Sequence, residues 1–347
     1  MLGFAQAGGR LSVFKNLMVY RLAAEWQPTA AELEAALEGA RFVECGATQP
    51  RAMGWVPPRG EAHGVLVEAI DGQWLLQLMV ESKLVPGAVI KRQVEALVLR
   101  IEQTTGRKPG KKEIRDLKDQ ALLDLLPMAF TKRAAVKVWI SPGARLLVID
   151  AGSASRADET LTALSQVLAG LSAQLINTAI TPEAAMADWL ISGDPPAGFT
   201  IDRDCELKAS DGEKPVVRYA RHALDLPEIR EHITAGKRPT RLALTWRDRV
   251  SFTLTDGLQL KKISFLDGVF EGRQQDGDEG FDANAAIATG ELAPLIGELI
   301  DALGGEQVFG AAEPVVAPSA TTATTEQVPS VSSTATAGGV PPWAATS

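Results

Sequence analysis

The chain has 347 residues, a formal net charge of −8, and 46% hydrophobic, 22% charged and 5% aromatic residues. That balance supports one large or two medium buried cores and excludes a collagen-like or wholly disordered chain. Two cysteines, Cys45 and Cys205, with no CxxC pair, exclude a disulfide framework and a four-thiolate metal site, and no apolar run approaches the ~18–20 residues that span a bilayer. The expectation is a soluble cytoplasmic protein with reduced thiols and no membrane partner.

Residues 1–12, with Gly3, Gly8 and Gly9, read as a loose leader. Val13–Leu22 is predicted as a strand, and Pro28–Leu37 as a short helix opened by Pro-Thr. Gln73–Ser82 has the length and apolar content of a strand. After Pro86 comes a helical pattern through Val89, Val94, Leu97, Val98 and Ile101, closing near Gly106; a second helix spans about Lys111–Leu126 and stops at Pro127. The period then changes to two: Ala135–Ile140 and Arg145–Asp150 flank Ser141-Pro142-Gly143-Ala144, a hairpin. Helices follow at Ser155–Leu171 and at Pro182–Leu190, the latter with Thr181 as N-cap. Arg241–Trp246, Arg249–Thr255 and Leu258–Leu266 form a meander turning at Asp256-Gly257. A last helix, about Asp282–Leu303, carries Gly290, Pro294 and Gly297, which predict a break. Ala311–Ser347, built from Ala, Thr, Ser, Val and Pro, reads as a disordered tail. The folded body is then 13–310, and its alternation of elements without a βαβ period predicts an α+β fold of mixed or antiparallel sheets with helices, in a multi-lobed subunit.

Charge is segregated within this body. Residues 83–145, a helical and hairpin lobe, hold 14 Lys and Arg against six Asp and Glu; residues 214–249, at the start of a second basic strip that leads into the meander and final helix (214–303), hold nine against four. These local charges of +8 and +5 leave −21 for the remainder. Basic segments in an otherwise acidic chain are the footprint of a polyanion binder. The candidate contacts are Lys91, Arg92, Arg107, Lys108, Lys111, Lys112, Lys132 and Arg133 in the first segment and Arg218 and Arg221 in the second. The competing reading is a solvated helix face, because Glu95, Glu102, Glu113, Asp116 and Asp119 are interleaved with the cations.

Motifs for catalysis are weak. Gly106-x-x-x-Gly110-Lys111-Lys112 is one residue short of a phosphate-binding loop and lacks its Ser or Thr. Asp276–Asp282 lacks the Gly and Glu of a calcium loop, His63, His222 and His232 have no paired metal spacing, and Gly152-Ser153 lacks a nucleophile elbow. No catalytic residue, metal or cofactor is assigned. Trp55, Trp74, Trp139, Trp189 and Trp246 lie in apolar runs and are expected in the core. Phe130 follows a helix-ending proline and precedes a basic cluster, so it reads either as a core plug or as an exposed contact between subunits.

Phe14-Lys-Asn-Leu-Met-Val-Tyr-Arg-Leu22, Met53-Gly-Trp-Val-Pro-Pro58, Leu125-Leu-Pro-Met-Ala-Phe130, His232-Ile-Thr-Ala-Gly-Lys237 and Thr289-Gly-Glu-Leu292 occur in this order. Together they resemble the bacterial recombination-associated RdgC family over about Val13–Gly305. The resemblance implies a cytoplasmic, nucleoid-associated protein without known catalysis. It implies a ring-shaped homodimer whose positive hole accommodates double-stranded DNA with little sequence preference, single-stranded DNA being a further partner to test. It also implies antagonism with RecA and a role in replication. On the family pattern Phe130, Arg221 and His222 are candidates for an openable dimer gate. Relative to that pattern the chain adds about ten residues before Val13 and the tail after Gly310. Two alternatives stand beside it: an inhibitor that binds RecA or a replication factor without encircling DNA, and a DNA-processing enzyme, which needs a carboxylate cluster absent from the sequence.

Overall fold

Period-two alternation governs the centre of the molecule. In the computed structural model, which describes residues 14–61, 63–209, 215–270 and 278–307, twelve strands form one hydrogen-bonded sheet. The strands are β1 (Leu17–Leu22), β2 (Arg51–Val56), β3 (Glu68–Ile70), β4 (Gln73–Leu84), β5 (Phe130–Ser141), β6 (Leu146–Asp150), β7 (Ala173–Leu175), β8 (Phe199–Ala209), β9 (Val216–Tyr219), β10 (Lys237–Trp246), β11 (Val250–Thr255) and β12 (Leu260–Phe265). The helices are α1 (Ala30–Glu38), α2 (Gly87–Thr105), α3 (Lys111–Leu125), α4 (Ala154–Val167), α5 (Pro182–Ser192), α6 (Pro227–Thr234) and α7 (Asp278–Ala302). Sheet order is β2-β4-β5-β6-β1-β12-β11-β10-β8-β9, with β3 on β4 and β7 on β1, and these pairings are antiparallel. The α+β expectation holds. The loose leader at 1–12 and the tail at 311–347 lie outside the described residues, as do Asp276 and Gly277 of the acidic stretch.

Each central strand feeds two cores, because successive side chains leave a strand on opposite faces. Leu17 and Val19 of β1, Leu146 and Val148 of β6, and Trp139 of β5 enter one core; Met18, Tyr20 and Leu22, Leu147 and Ile149, and Val138 and Ile140 enter the other. The first core also takes β8, β10 and β11 through Leu207, Leu242, Leu244, Phe252 and Leu254, and α7 closes it with Ala288, Leu292, Leu295, Ile296 and Leu299, followed by Leu303 just past its end. The second is closed by Leu33 and Leu37 of α1 and Ala157 and Leu164 of α4. Trp55, Trp139, Trp189 and Trp246 are buried and Trp74 packs at the margin of the second core, as expected. On the far side of β8–β12 from the first core, polar residues such as Glu206, Arg241, Thr253 and Thr255 alternate with the apolar ones.

Several boundaries follow sequence chemistry. Thr29 caps α1: its hydroxyl accepts from the Glu32 N–H (3.2 Å) while the Thr29 N–H donates to the Glu32 carboxylate (2.7 Å), a reciprocal capping box. The predicted break in the last helix is absent, and α7 runs through. Gly290, Pro294 and Gly297 are all exposed, spaced so that they share the solvent face, and the apolar face packed on the first core holds the helix together. At the meander turn the left-handed residue is Leu258 (φ 54°) and not Gly257: the connection is four residues long, and the Gln259 N–H donates to the Thr255 hydroxyl (3.0 Å). Strands β2, β3, β7, β8 and β9 and helix α6 were not predicted.

Gly54 shows why Met53-Gly-Trp is needed. Segment 40–42 lies against β2, with the Phe42 N–H donating to Trp55 O and the Trp55 N–H to Ala40 O (both 2.9 Å). A Cβ on Gly54 would stand 2.4 Å from the Phe42 Cα, a backbone atom that cannot yield cheaply. Gly54→Ala is therefore expected to lower unfolding free energy by about 1–3 kcal/mol, the usual range for overpacking, read as a lower urea midpoint at unchanged slope.

Candidate nucleic-acid interface

The first basic segment is largely a helical arm. α2 packs on α3, and within the two helices only Val94 and Ala121 are fully buried; Leu97, Val98, Ile101, Ile114 and Leu117 are half-buried. Gly106 ends α2 in the left-handed region (φ 71°), and its N–H donates to Glu102 O (2.9 Å). Arg107, Lys108 and Pro109 then cross to α3. The loop follows a helix and not a strand, so it lacks the setting of a phosphate-binding loop.

The six arm cations singled out from sequence divide equally. Lys91 pairs with Glu95 (3.8 Å), Arg107 with Glu113 (2.9 Å) and Lys108 with Glu102 (3.9 Å), which is the solvated-face arrangement. Arg92, Lys111 and Lys112 are exposed and, among the described residues, have no ion pair; the same holds for Arg100, Arg115 and Lys118. Lys111 and Lys112 open α3, whose N-cap Gly110 provides no side-chain hydrogen bond. Cations here oppose the helix dipole, while uncapped N–H groups and ammonium groups both favour an anion.

Beyond the arm, Phe130 begins β5 and is 85% exposed; Leu84, directly across on β4, is 51% exposed and Met128 is 76% exposed. The structure therefore rejects the core-plug reading of Phe130. Lys132 is exposed without an ion pair among the described residues. Arg133 is engaged within the fold: its Nε donates to buried Glu81 (2.6 Å), its guanidinium pairs with Glu44, and it lies 5.5 Å from the Phe42 ring centroid. Burial opposes the Glu81 charge, but hydrogen bonds from the Cys45 N–H (2.9 Å) and Arg133 outweigh it and hold the carboxyl below the usual range. Lys137, from the same segment, turns inward; its Nζ is buried and has no hydrogen-bond partner among the described residues, and burial lowers its affinity for a proton. Part of the counted charge is thus unavailable to a ligand.

The second segment lies at the opposite end of the sheet. Arg218 on β9 donates to Glu206 (2.7 Å). Arg221 adopts φ 55°, its N–H donating to Asp204 Oδ1 (2.7 Å), and its side chain is exposed without an ion pair among the described residues. The His222 ring meets Tyr219 edge-on at 6.1 Å. β5 and β9 stand seven positions apart in sheet order, and no hydrogen bond, ion pair or ring contact among the described residues joins Phe130 to Arg221 or His222.

Three cations were missed in the sequence. On the open face of the sheet, register aligns Arg218, Glu206, Arg241 and Thr255 across β9, β8, β10 and β11, with Lys208 on β8 and Lys261 on β12 beside the row. Burial opposes the Glu206 charge, yet Thr240, Arg218 and Arg241 keep its carboxyl below the usual range. Lys208 and Lys261 are far apart in sequence, and only strand register gathers them.

Among the described residues no group of three or more His, Cys, Asp or Glu is placed to hold a metal ion, and no helix is long and apolar enough to cross a membrane. Cys45 and Cys205 are free, and burial pushes the Cys205 thiol up to about 12.

A family model described as "Putative exonuclease, RdgC" matches residues 13–306. The chain is 42% identical over 301 residues to a recombination-associated protein RdgC of Dechloromonas aromatica, covering 85% of this chain and 98% of the relative. It is 43% identical over 297 residues to one of Cupriavidus pinatubonensis, covering 85% and 99%. A Burkholderia cenocepacia relative of the same name shares 40% over 307 residues, covering 88% and 99%. With near-complete coverage of these relatives and a family model spanning both cores, the chain belongs to the RdgC family of recombination-associated proteins.

Proposed function

We propose that the protein is a sequence-independent DNA-binding subunit of a ring-shaped homodimer, cytoplasmic and nucleoid-associated, that limits RecA-driven recombination and assists replication. The observation that carries this reading is the set of exposed cations on the α2–α3 arm that have no ion pair among the described residues, Arg92, Lys111 and Lys112 with Arg100, Arg115 and Lys118, in a chain whose net charge is −8. Cations free of carboxylate partners are available to phosphates, and such contacts carry no base code. The same family membership that supports recombination as the setting supports duplex DNA as the polyanion.

The exposed Phe130, Met128 and Leu84 support self-association. They form an apolar patch at one end of the β4–β5 pair, and a two-fold contact would bury the patch of each copy against the other's. Because β9 lies at the far end of the sheet, Arg221 and His222 reach the Phe130 region only from a second copy or serve a separate contact.

The test is retention on closed circular against linear duplex of one sequence, each challenged with high salt. Retention on circles with escape from linear ends is expected; equal loss from both contradicts encirclement. No binding at low salt, with RecA inhibition intact, moves the reading to direct action on RecA or a replication factor. Metal-dependent loss of the DNA itself supports a nuclease.

Two variants sharpen this. Lys111→Ala with Lys112→Ala is expected to weaken binding to all sequences alike and to reduce the slope of log K against log salt by about 1–2. Phe130→Ala is expected to abolish the advantage of circular over linear DNA, with little change in thermal stability because the side chain is exposed.

A further inference from the structure

The open face of the β8–β12 half-sheet carries a cleft of about 240 Å³ lined by Glu206, Lys208, Thr240, Arg241, Thr255, Asp256 and Lys261, with Gly257 and Gln259. It lies on the face that points away from the first core, since Leu207, Leu242, Leu254 and Leu260 alternate with these residues along their strands and are buried in that core. Among the described residues, Lys208 and Lys261 have no ion pair, and Arg241 meets a carboxylate only at 3.8 Å.

The two carboxylates of the cleft do not cancel these charges. Glu206 is already engaged: it accepts from Arg218 Nε (2.7 Å) and from the Thr240 hydroxyl (2.9 Å), so it fixes two walls of the cleft in place. Asp256 sits in the turn, where its N–H donates to Thr240 O (3.2 Å), and among the described residues its carboxylate forms no ion pair with Lys208, Arg241 or Lys261. Three cations on three strands, held by backbone register and converging on one opening, match the demands of a tetrahedral oxyanion better than those of an apolar or cationic ligand.

We infer that this cleft seats a phosphodiester of the nucleic-acid backbone, with Lys208, Arg241 and Lys261 as its ligands. The inference rests on the DNA-binding reading above and deepens it. It adds a second point of contact on the sheet itself, remote in sequence from the arm, and gives Arg218 a positioning role: Arg218 holds Glu206, which in turn faces Arg241.

The experiment is a salt titration of duplex binding by the full chain and by Lys208→Ala with Lys261→Ala. Loss of two phosphate contacts is expected to lower the log K against log salt slope by about 1.8, so that raising salt from about 50 to about 200 mM costs the variant roughly twelvefold less affinity than it costs the parent. Lys208→Arg with Lys261→Arg is expected to keep the parental slope, and unchanged melting of both variants shows that the fold is intact. A double-Ala slope equal to the parent's overturns this inference alone and leaves the arm as the DNA contact. A parent chain that does not bind duplex at low salt overturns the DNA reading and this inference with it. Calorimetric binding of inorganic pyrophosphate that disappears in the double-Ala variant, with the DNA slope unchanged, overturns the backbone assignment in favour of a free anion.

Discussion

The fold depends on β1. It takes β6 on one edge and, on the other, β12 at Leu17 and β7 at Tyr20–Leu22, so both halves of the sheet hang from six residues. Its side chains alternate between the two cores, Leu17 and Val19 into one, Met18, Tyr20 and Leu22 into the other. Removing volume on either face disturbs a core that the neighbouring strand also serves, so the halves are coupled through packing as well as through hydrogen bonds. Asp150 on β6 reinforces the entry to this strand by accepting from the Asn16 N–H (2.8 Å).

From that frame the charged surfaces acquire their positions. The α2–α3 arm is inserted between β4 and β5, two long neighbouring strands whose ends carry Leu84 and Phe130, so the arm's cations and the exposed apolar patch share a base. The cross-strand row from Arg218 to Thr255 belongs to the other half-sheet. Both basic segments are thereby tied to rigid strands through β1.

Much of the fold was legible in the sequence. Thr29 with Glu32, Gly106 and Pro127 are local signals, and local chemistry set the boundaries of α1, α2 and α3. β8 was hidden because Asp202, Arg203 and Asp204 interrupt its alternation and because its pairing with β10 shifts register between Leu242 and Leu244. The absent break in α7 has the opposite origin: Gly290, Pro294 and Gly297 weaken only the face that contacts solvent. At the site, composition revealed where cations are dense but not which are engaged. Arg133 meets Glu81 and Glu44, 52 and 89 residues earlier in the chain, pairings that only the tertiary fold creates.

The sparse burial of the arm has one more consequence. Helices that bury a single residue each within a sheet-based protein draw little on its global stability, and their amides open by local fraying while β1, β5 and β6 remain closed. The arm that carries Arg92, Lys111 and Lys112 is therefore also among the easiest parts of the chain to unfold. A ligand that bound the arm would slow amide exchange there, so the arm would gain order from it while the sheet has no need of it.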